Sequence, residues 1–278
     1  MWNYFLHELN SKRGAIIGWS LGMAGFVLLY TGLYPSFVDT IPDFEELLQL
    51  PIYQALGIST MSSFPGWLSS TVLNFLPLIV GIFALIAGTG TLVGEEERGT
   101  LENIASLPLA RWQIVTSKFL AILISLLAVL LITAAVTLGV TAWVSTQVEV
   151  NIDLLSILPA ILSVLPLLAL FAAAAMFFGA FLPTRGPASG LAIALLISSY
   201  LSNNLFAQIE TLQDYQVLSP FHYFNASASA FTQGPAASDI IVLTALTLLF
   251  FLLALISFQR RDLMVHTWFW QRPRLSET

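Results

Sequence analysis

The fold class that this sequence predicts is an all-α membrane protein: six transmembrane helices, an N-terminal interfacial helix, and a short polar helix between spans 2 and 3. Three observations predict it. First, the 278 residues are 57% hydrophobic and only 9% charged, against about 25% charged in soluble domains. Such a chain cannot cover itself with polar surface, so the bilayer is its natural solvent. Second, six apolar runs reach the ~20 residues that a spanning helix needs. Third, the basic residues all sort to one side of those runs.

In order, the chain opens on an amphipathic segment over residues 1–13. Trp2, Phe5, Leu6 and Leu9 share one helical face, with Asn3, His7, Asn10 and Ser11 elsewhere. This predicts a helix lying in the membrane surface, ended by Lys12 and Arg13. It lacks the basic start and the small-residue cleavage site of a signal peptide. Span 1 is expected over residues 14–34. Gly14, Gly18 and Gly22 recur every four residues, so one face is nearly bare backbone. That face suits close helix packing, either within the subunit or across a dimer.

Residues 35–66 form a long loop whose charges are Asp39, Asp43, Glu45 and Glu46. Residues 43–50, DFEELLQL, suggest a short amphipathic helix stopped by Pro51, and SSFPG at 62–66 reads as a turn. Span 2 is expected over 67–93, loosened by Pro77, Gly81, Gly88 and Gly90, with a kink at Pro77. Span 3 is expected over 112–143, with Lys118 near one interface. Span 4 is expected over 154–182, with Pro159 and Pro166 early in it. Span 5 is expected over 188–206, after a turn that holds the lone Arg185. Gly186, Gly190, Ala194, Ser198 and Ser202 form a second small-residue stripe there. The loop over 207–239 is aromatic enough, in LSPFHYF especially, to predict partial insertion. Span 6 is expected over 240–258, with a tail over 259–278.

Six spans put both termini on one side. That side holds all ten basic residues: Lys12, Arg13, Arg98, Arg111, Lys118, Arg185, Arg260, Arg261, Arg272 and Arg274. The opposite loops hold nine acidic residues, Asp39 through Asp239, and no base. Lys and Arg bias sets orientation, so the termini are expected in the cytoplasm.

Several function classes are excluded. The absence of cysteine removes disulfide and thiolate chemistry. There is no nucleotide-binding P-loop and no HExxH. His7, His222 and His266 lie far apart and read as interfacial side chains. The span interiors hold no ionisable residue on this reading, which argues against proton-coupled transport and against an intramembrane enzyme.

One charged island remains. Gly94 to Arg111 reads GEEERGTLENIASLPLAR, and Glu95, Glu96, Glu97, Arg98 and Glu102 crowd its first half. Thr100 is a candidate N-cap, Glu102 sits in the first turn, and Pro108 closes the segment. A short polar helix between two spans must lie at a water interface. It is a handle, and a chain with no energy source of its own needs a partner to move it.

These residues resemble the cytoplasmic loop of ABC-2 type permeases, the membrane subunits of many bacterial and archaeal ABC exporters. The matching residues are Glu95-Glu96-Glu97-Arg98-Gly99-Thr100-Leu101-Glu102, then Leu107-Pro108, Arg111 and Lys118. LSPFHYF at 218–224 and the exit Phe258 to Leu263 resemble the family too. The opening, with Trp19 and Leu33-Tyr34-Pro35, is most similar to permeases that export antibiotics.

The resemblance implies an exporter of an amphipathic, lipid-like or drug-like substrate in a prokaryotic cytoplasmic membrane. It implies no catalysis and no cofactor on this chain, with ATP and Mg on a separate ATPase subunit present in two copies. A second permease copy or a paralogue completes the pair; membrane lipid is a partner and nucleic acid is not. The segment 94–111 then becomes a coupling helix in an ATPase groove. Leu101, Ile104 and Ala105 are its expected apolar contacts, with the charged residues Glu95 to Arg98 and Glu102 as a rim. Spans 1, 2 and 5 are expected near the dimer axis. Gly14, Gly18, Gly22, Pro77, Gly81, Gly190, Ala194, Ser198, Ser202 and Asn203 are the candidate dimer or pathway residues. The alternative is a subunit that anchors or signals without transporting.

Overall fold

A computed structural model describes residues 2–38, 40, 50, 61, 63–91 and 110–260. Among these residues the secondary structure is helical throughout, with no strand. Six helices are long and apolar enough to cross a membrane: span 1, Arg13–Phe37; span 2, Phe64–Gly90; span 3, Arg111–Val144; span 4, Leu154–Phe181; span 5, Arg185–Gln208; and span 6, Ala237–Arg260. A separate helix, α1, covers Trp2–Ser11. With no water in a bilayer core, backbone groups must be satisfied within each segment, and only helices do this strand-free.

Span 4 is the axis of the bundle. It packs against spans 2, 5 and 6 and touches span 3, which in turn carries span 1 and α1. The run from Leu170 to Met176 on span 4 is entirely buried, and its four consecutive alanines let neighbours approach from several sides. Span 1 meets span 3 through Ser20, Met23, Val27 and Thr31, one side of the helix only.

Two spans are interrupted, each for a stated reason. Pro77 has no N–H and its ring crowds the carbonyl of Leu73. The turn just before it, Ser69–Leu73, widens into a π-helix, with the Asn74 N–H donating to the Ser69 carbonyl. Pro77, where a kink was expected, lies inside the helix that follows, Asn74–Gly90. Span 4 breaks between Leu154–Leu162 and Leu165–Phe181, with Pro166 in the first turn of the second piece.

Residues 63–66 of the SSFPG segment start a helix where a turn was expected. Ser63 is an N-cap whose Oγ accepts from the Gly66 N–H at 3.2 Å, and Phe64-Pro65-Gly66 begin span 2. Serine before proline suits a helix start as well as a turn. Most of the expected helix at 43–50 lies outside the described residues.

The loop after span 5 folds back onto the bundle. Its short 3-10 turn Pro220–Tyr223 buries Phe221 against Phe171 and Tyr200. The Ser219 hydroxyl donates to the Ser199 carbonyl at 2.6 Å.

The starts of spans 1, 3 and 5 and the ends of spans 2, 4 and 6 share one end of the bundle, where Gly90 faces Arg185 and Arg111 meets Phe258. All the basic residues described, Lys12, Arg13, Arg111, Lys118, Arg185 and Arg260, belong to this basic end. Glu149, Asp153, Asp214 and Asp239 belong to the other.

Candidate functional site

At the basic end, long-range polar contacts tie span 6 and α1 to span 3. The first joins spans 3 and 6. Ala110 caps span 3, and the Gln113 side chain accepts from the Ala110 N–H at 3.0 Å. Arg111, the next residue, turns its Nη1 to the last turn of span 6. It donates to the carbonyls of Phe258 at 3.2 Å and Gln259 at 3.1 Å, and its guanidinium lies 6.0 Å from the Phe258 ring centre. Helix C-termini present orphan carbonyls and a negative dipole end, and a guanidinium answers both. Arg111 was expected among the coupling residues; here it fastens the root of the handle to span 6.

The second contact joins α1 to span 3. Lys118 is fully enclosed, at 0% exposure, and its Nζ donates to Glu8 Oε1 at 2.7 Å. The ammonium also lies 5.7 Å from the centre of the Tyr4 ring. The contact encloses Lys118 in protein within two turns of the start of span 3. It also divides the face of α1 that was read as uniformly apolar. Phe5 and Glu8 are buried against the bundle, whereas Trp2 and Leu6 stay exposed.

Burial by itself raises the pKa of Glu8; the Lys118 ammonium and its hydrogen bond outweigh this and leave the carboxyl below its ordinary value. A carboxyl with a depressed folded pKa stabilises above its unfolded value, and that contribution disappears as pH falls through the folded value. The docking of α1 is therefore expected to stay flat from about pH 8 to about pH 5 and to weaken only in stronger acid. Fluorescence of a probe at Asn3, followed against pH, checks this. A transition near neutrality would contradict it.

The two small-residue stripes share one property. A Cβ built on Gly14, Gly18, Gly22 or Gly25 meets nothing within 4 Å, and the same holds for Gly186 and Gly190. On span 1 the glycines lie opposite the Ser20, Met23, Val27 and Thr31 face that packs on span 3. On span 5, Gly190, Ala194 and Ser198 are exposed, opposite the buried Ala188, Ala192 and Leu196. Among the described residues, nothing packs on the glycines of either stripe. Both flank span 2, whose Ile82 and Ile86 are exposed between them.

The remaining pathway candidates fall elsewhere. Gly81 packs on Leu196 of span 5, with a built Cβ only 3.2 Å from a Leu196 methyl. Pro77 is buried in span 2. The hydroxyls of Ser198 and Ser202 return to carbonyls of their own helix, Leu195 and Ser199. Asn203 is half-buried beside them.

One close crossing was not singled out as such in the sequence. A Cβ on Gly88 would lie 2.7 Å from the Ala172 carbonyl oxygen and 2.7 Å from the Ala175 Cβ. Gly179 mirrors it, 3.2 Å from the Thr89 carbonyl oxygen. These glycines let spans 2 and 4 touch backbone to backbone just before the handle begins.

Glu95, Glu96, Glu97, Arg98, Gly99, Thr100, Leu101, Glu102, Ile104, Ala105 and Pro108 lie outside the described residues. His7 and His222 are both exposed. No group of three or more His, Cys, Asp or Glu residues suited to a metal occurs among the described residues.

None of the curated proteins compared with the chain matches it. The sequence model of the ABC-2 family transporter proteins matches residues 7–263, a stretch that takes in all six spans and the handle between spans 2 and 3. With six membrane-length helices inside that match, the chain belongs to the ABC-2 transporter family, as a multi-pass, non-catalytic permease component.

Proposed function

We propose that this permease works in a pair, exporting an amphipathic or lipid-like substrate with energy from two separate ATPase subunits that bind ATP and Mg. The observation that carries the reading is the outward direction of both small-residue stripes. Bare backbone on spans 1 and 5, on either side of exposed Ile82 and Ile86, suits close approach by a second permease and leaves span 2 facing the seam. The basic end faces the cytoplasm in this reading, because Lys and Arg are retained on that side.

Coupling runs through residues 94–111. Leu101, Ile104 and Ala105 dock in an ATPase groove, and Glu95 to Arg98 with Glu102 form a salt-sensitive rim whose exposed pairs contribute about 0–1 kcal/mol each. A push on this segment reaches spans 2 and 3 directly and span 6 through Arg111. The double variant Leu101→Asp/Ile104→Asp is expected to abolish transport-coupled ATP turnover in proteoliposomes while leaving the permease folded. Unchanged coupling would rule out this contact surface. Absence of substrate-stimulated ATPase activity in the unmodified complex would favour a non-transporting anchor.

A further inference from the structure

The face of span 1 that packs on span 3 can be followed back to its start. Thr31, Val27, Met23 and Ser20 are buried on it. The same steps of three and four residues continue through half-buried Ile16 to Arg13, which is exposed. Spans 1 and 3 run parallel, with Gly32 beside the Trp143 ring at the far end. As many residues separate Arg13 from Gly32 as separate Ile124 from Trp143, so Arg13 lies about level with Ile124. There α1, span 1 and span 3 leave an open groove of about 570 Å³, with Arg13, Ile16, Ile124 and Ala128 in its lining.

A contact face between two spanning helices therefore begins on a cation, and the described residues supply no anion to meet it. Span 3 carries no acidic residue from Arg111 to Val144. No carboxylate lines the groove, whose other polar side chains are His7 and Asn10. Among the described residues Arg13 makes no hydrogen bond or ion pair. The single acidic residue of α1, Glu8, is held by Lys118 at 2.7 Å, and Lys12 is the other cation acting on it. A cation at the start of span 1 also works against the helix dipole, so helix stability does not account for Arg13.

We propose that this groove seats an anionic phospholipid of the surrounding leaflet, its phosphate on Arg13 and an acyl chain along Ile16, Ile124 and Ala128. The guanidinium fork matches a phosphate, and the apolar side chains of the two spans continue the path of the chain into the bilayer. A zwitterionic headgroup brings its own cation to the same place, so the net charge of the lipid decides the preference. The lipid is a resident partner that wedges α1, span 1 and span 3 together. It is not the cargo, so this proposal stands or falls apart from export.

The test uses the delipidated full-length chain in neutral detergent. The chain has no cysteine, so Ile132→Cys, at an exposed position one turn beyond Ala128, takes a single bimane label beside the groove. The probes are phosphatidylglycerol and phosphatidylcholine with the same brominated acyl chains, which quench bimane on contact, and inorganic phosphate as competitor. Phosphatidylglycerol is expected to quench saturably, with about fivefold higher affinity than phosphatidylcholine. Arg13→Gln should remove that preference, and Arg13→Lys should keep part of it. Arg260→Gln, an equal loss of charge at the same end, should leave it unchanged. Thermal unfolding reports that each variant is folded. Equal affinity for the two lipids, or no saturable quenching, would overturn the proposal. A preference that survives Arg13→Gln would leave Arg13 as a charge that only orients the chain, and would overturn it too. Relief of quenching by inorganic phosphate at comparable concentration would assign the groove to a soluble anion and rule out the lipid.

Discussion

Gly88→Ala is expected to destabilise the permease, although alanine is the better helix former. In an exposed helix the exchange would gain about 1 kcal/mol. Here the added methyl must occupy a point 2.7 Å from the Ala172 carbonyl oxygen and 2.7 Å from the Ala175 Cβ. The first of these is backbone in the middle of span 4, so no side-chain rotation relieves it. Spans 2 and 4 must separate, and overpacking of this kind costs about 1–3 kcal/mol. The effect spreads, because span 4 also carries spans 5 and 6. Gly18→Ala is the matched control: its Cβ meets nothing within 4 Å, so the subunit should unfold no earlier than the parent. Thermal unfolding of both full-length variants in one detergent measures the contrast. A Gly88→Ala protein as stable as Gly18→Ala would mean that the crossing has slack.

This contrast marks what could be read from residues alone. The six spans were legible because lipid imposes a one-dimensional rule: a run of about 20 apolar residues, closed on its own hydrogen bonds. The stripes on spans 1 and 5 were legible as periodicity, but their direction was not. Direction depends on which face a neighbour takes, and span 3 takes the Met23 and Val27 side. Gly88 and Gly179 form no stripe. Their closeness is a property of two helices in one register, to which neither local sequence points. The Ser63 cap was misread because a serine two residues before proline starts a helix and a turn with the same chemistry.

The pair of Glu8 with Lys118 was invisible for a related reason. Its partners are 110 residues apart, and each has an adequate local explanation, one as a polar residue on a surface helix and the other as an interface lysine. What joins them is the packing of α1 on span 3. The consequence reaches the handle, because Lys118 lies two turns beyond Arg111 on the same helix. A displacement of residues 94–111 that moves the start of span 3 must carry α1 with it or break a buried ion pair.

Glu8→Ala should accordingly be among the most damaging single changes in α1. It leaves an ammonium at 0% exposure with its carboxylate partner gone, and breaking a buried pair in this way costs about 3–5 kcal/mol. Lys118→Met should cost less. The Glu8 side chain keeps 9% of its surface, and the nearby Lys12 already favours its charged form. The double variant Glu8→Leu/Lys118→Met removes both charges and keeps the volume, so its stability should return to within about 1–2 kcal/mol of the parent. Thermal unfolding of the parent, Glu8→Leu, Lys118→Met and the double variant closes the cycle, with Glu8→Ala measured beside them. A single-variant loss below about 1 kcal/mol for Glu8→Ala would show the pair to be solvated and the account of α1 docking wrong. Function separates fastening from coupling. If the apolar pair fastens α1 as firmly, yet the Leu/Met complex turns over ATP without moving substrate, the ion pair must open during the cycle rather than merely hold the helix in place.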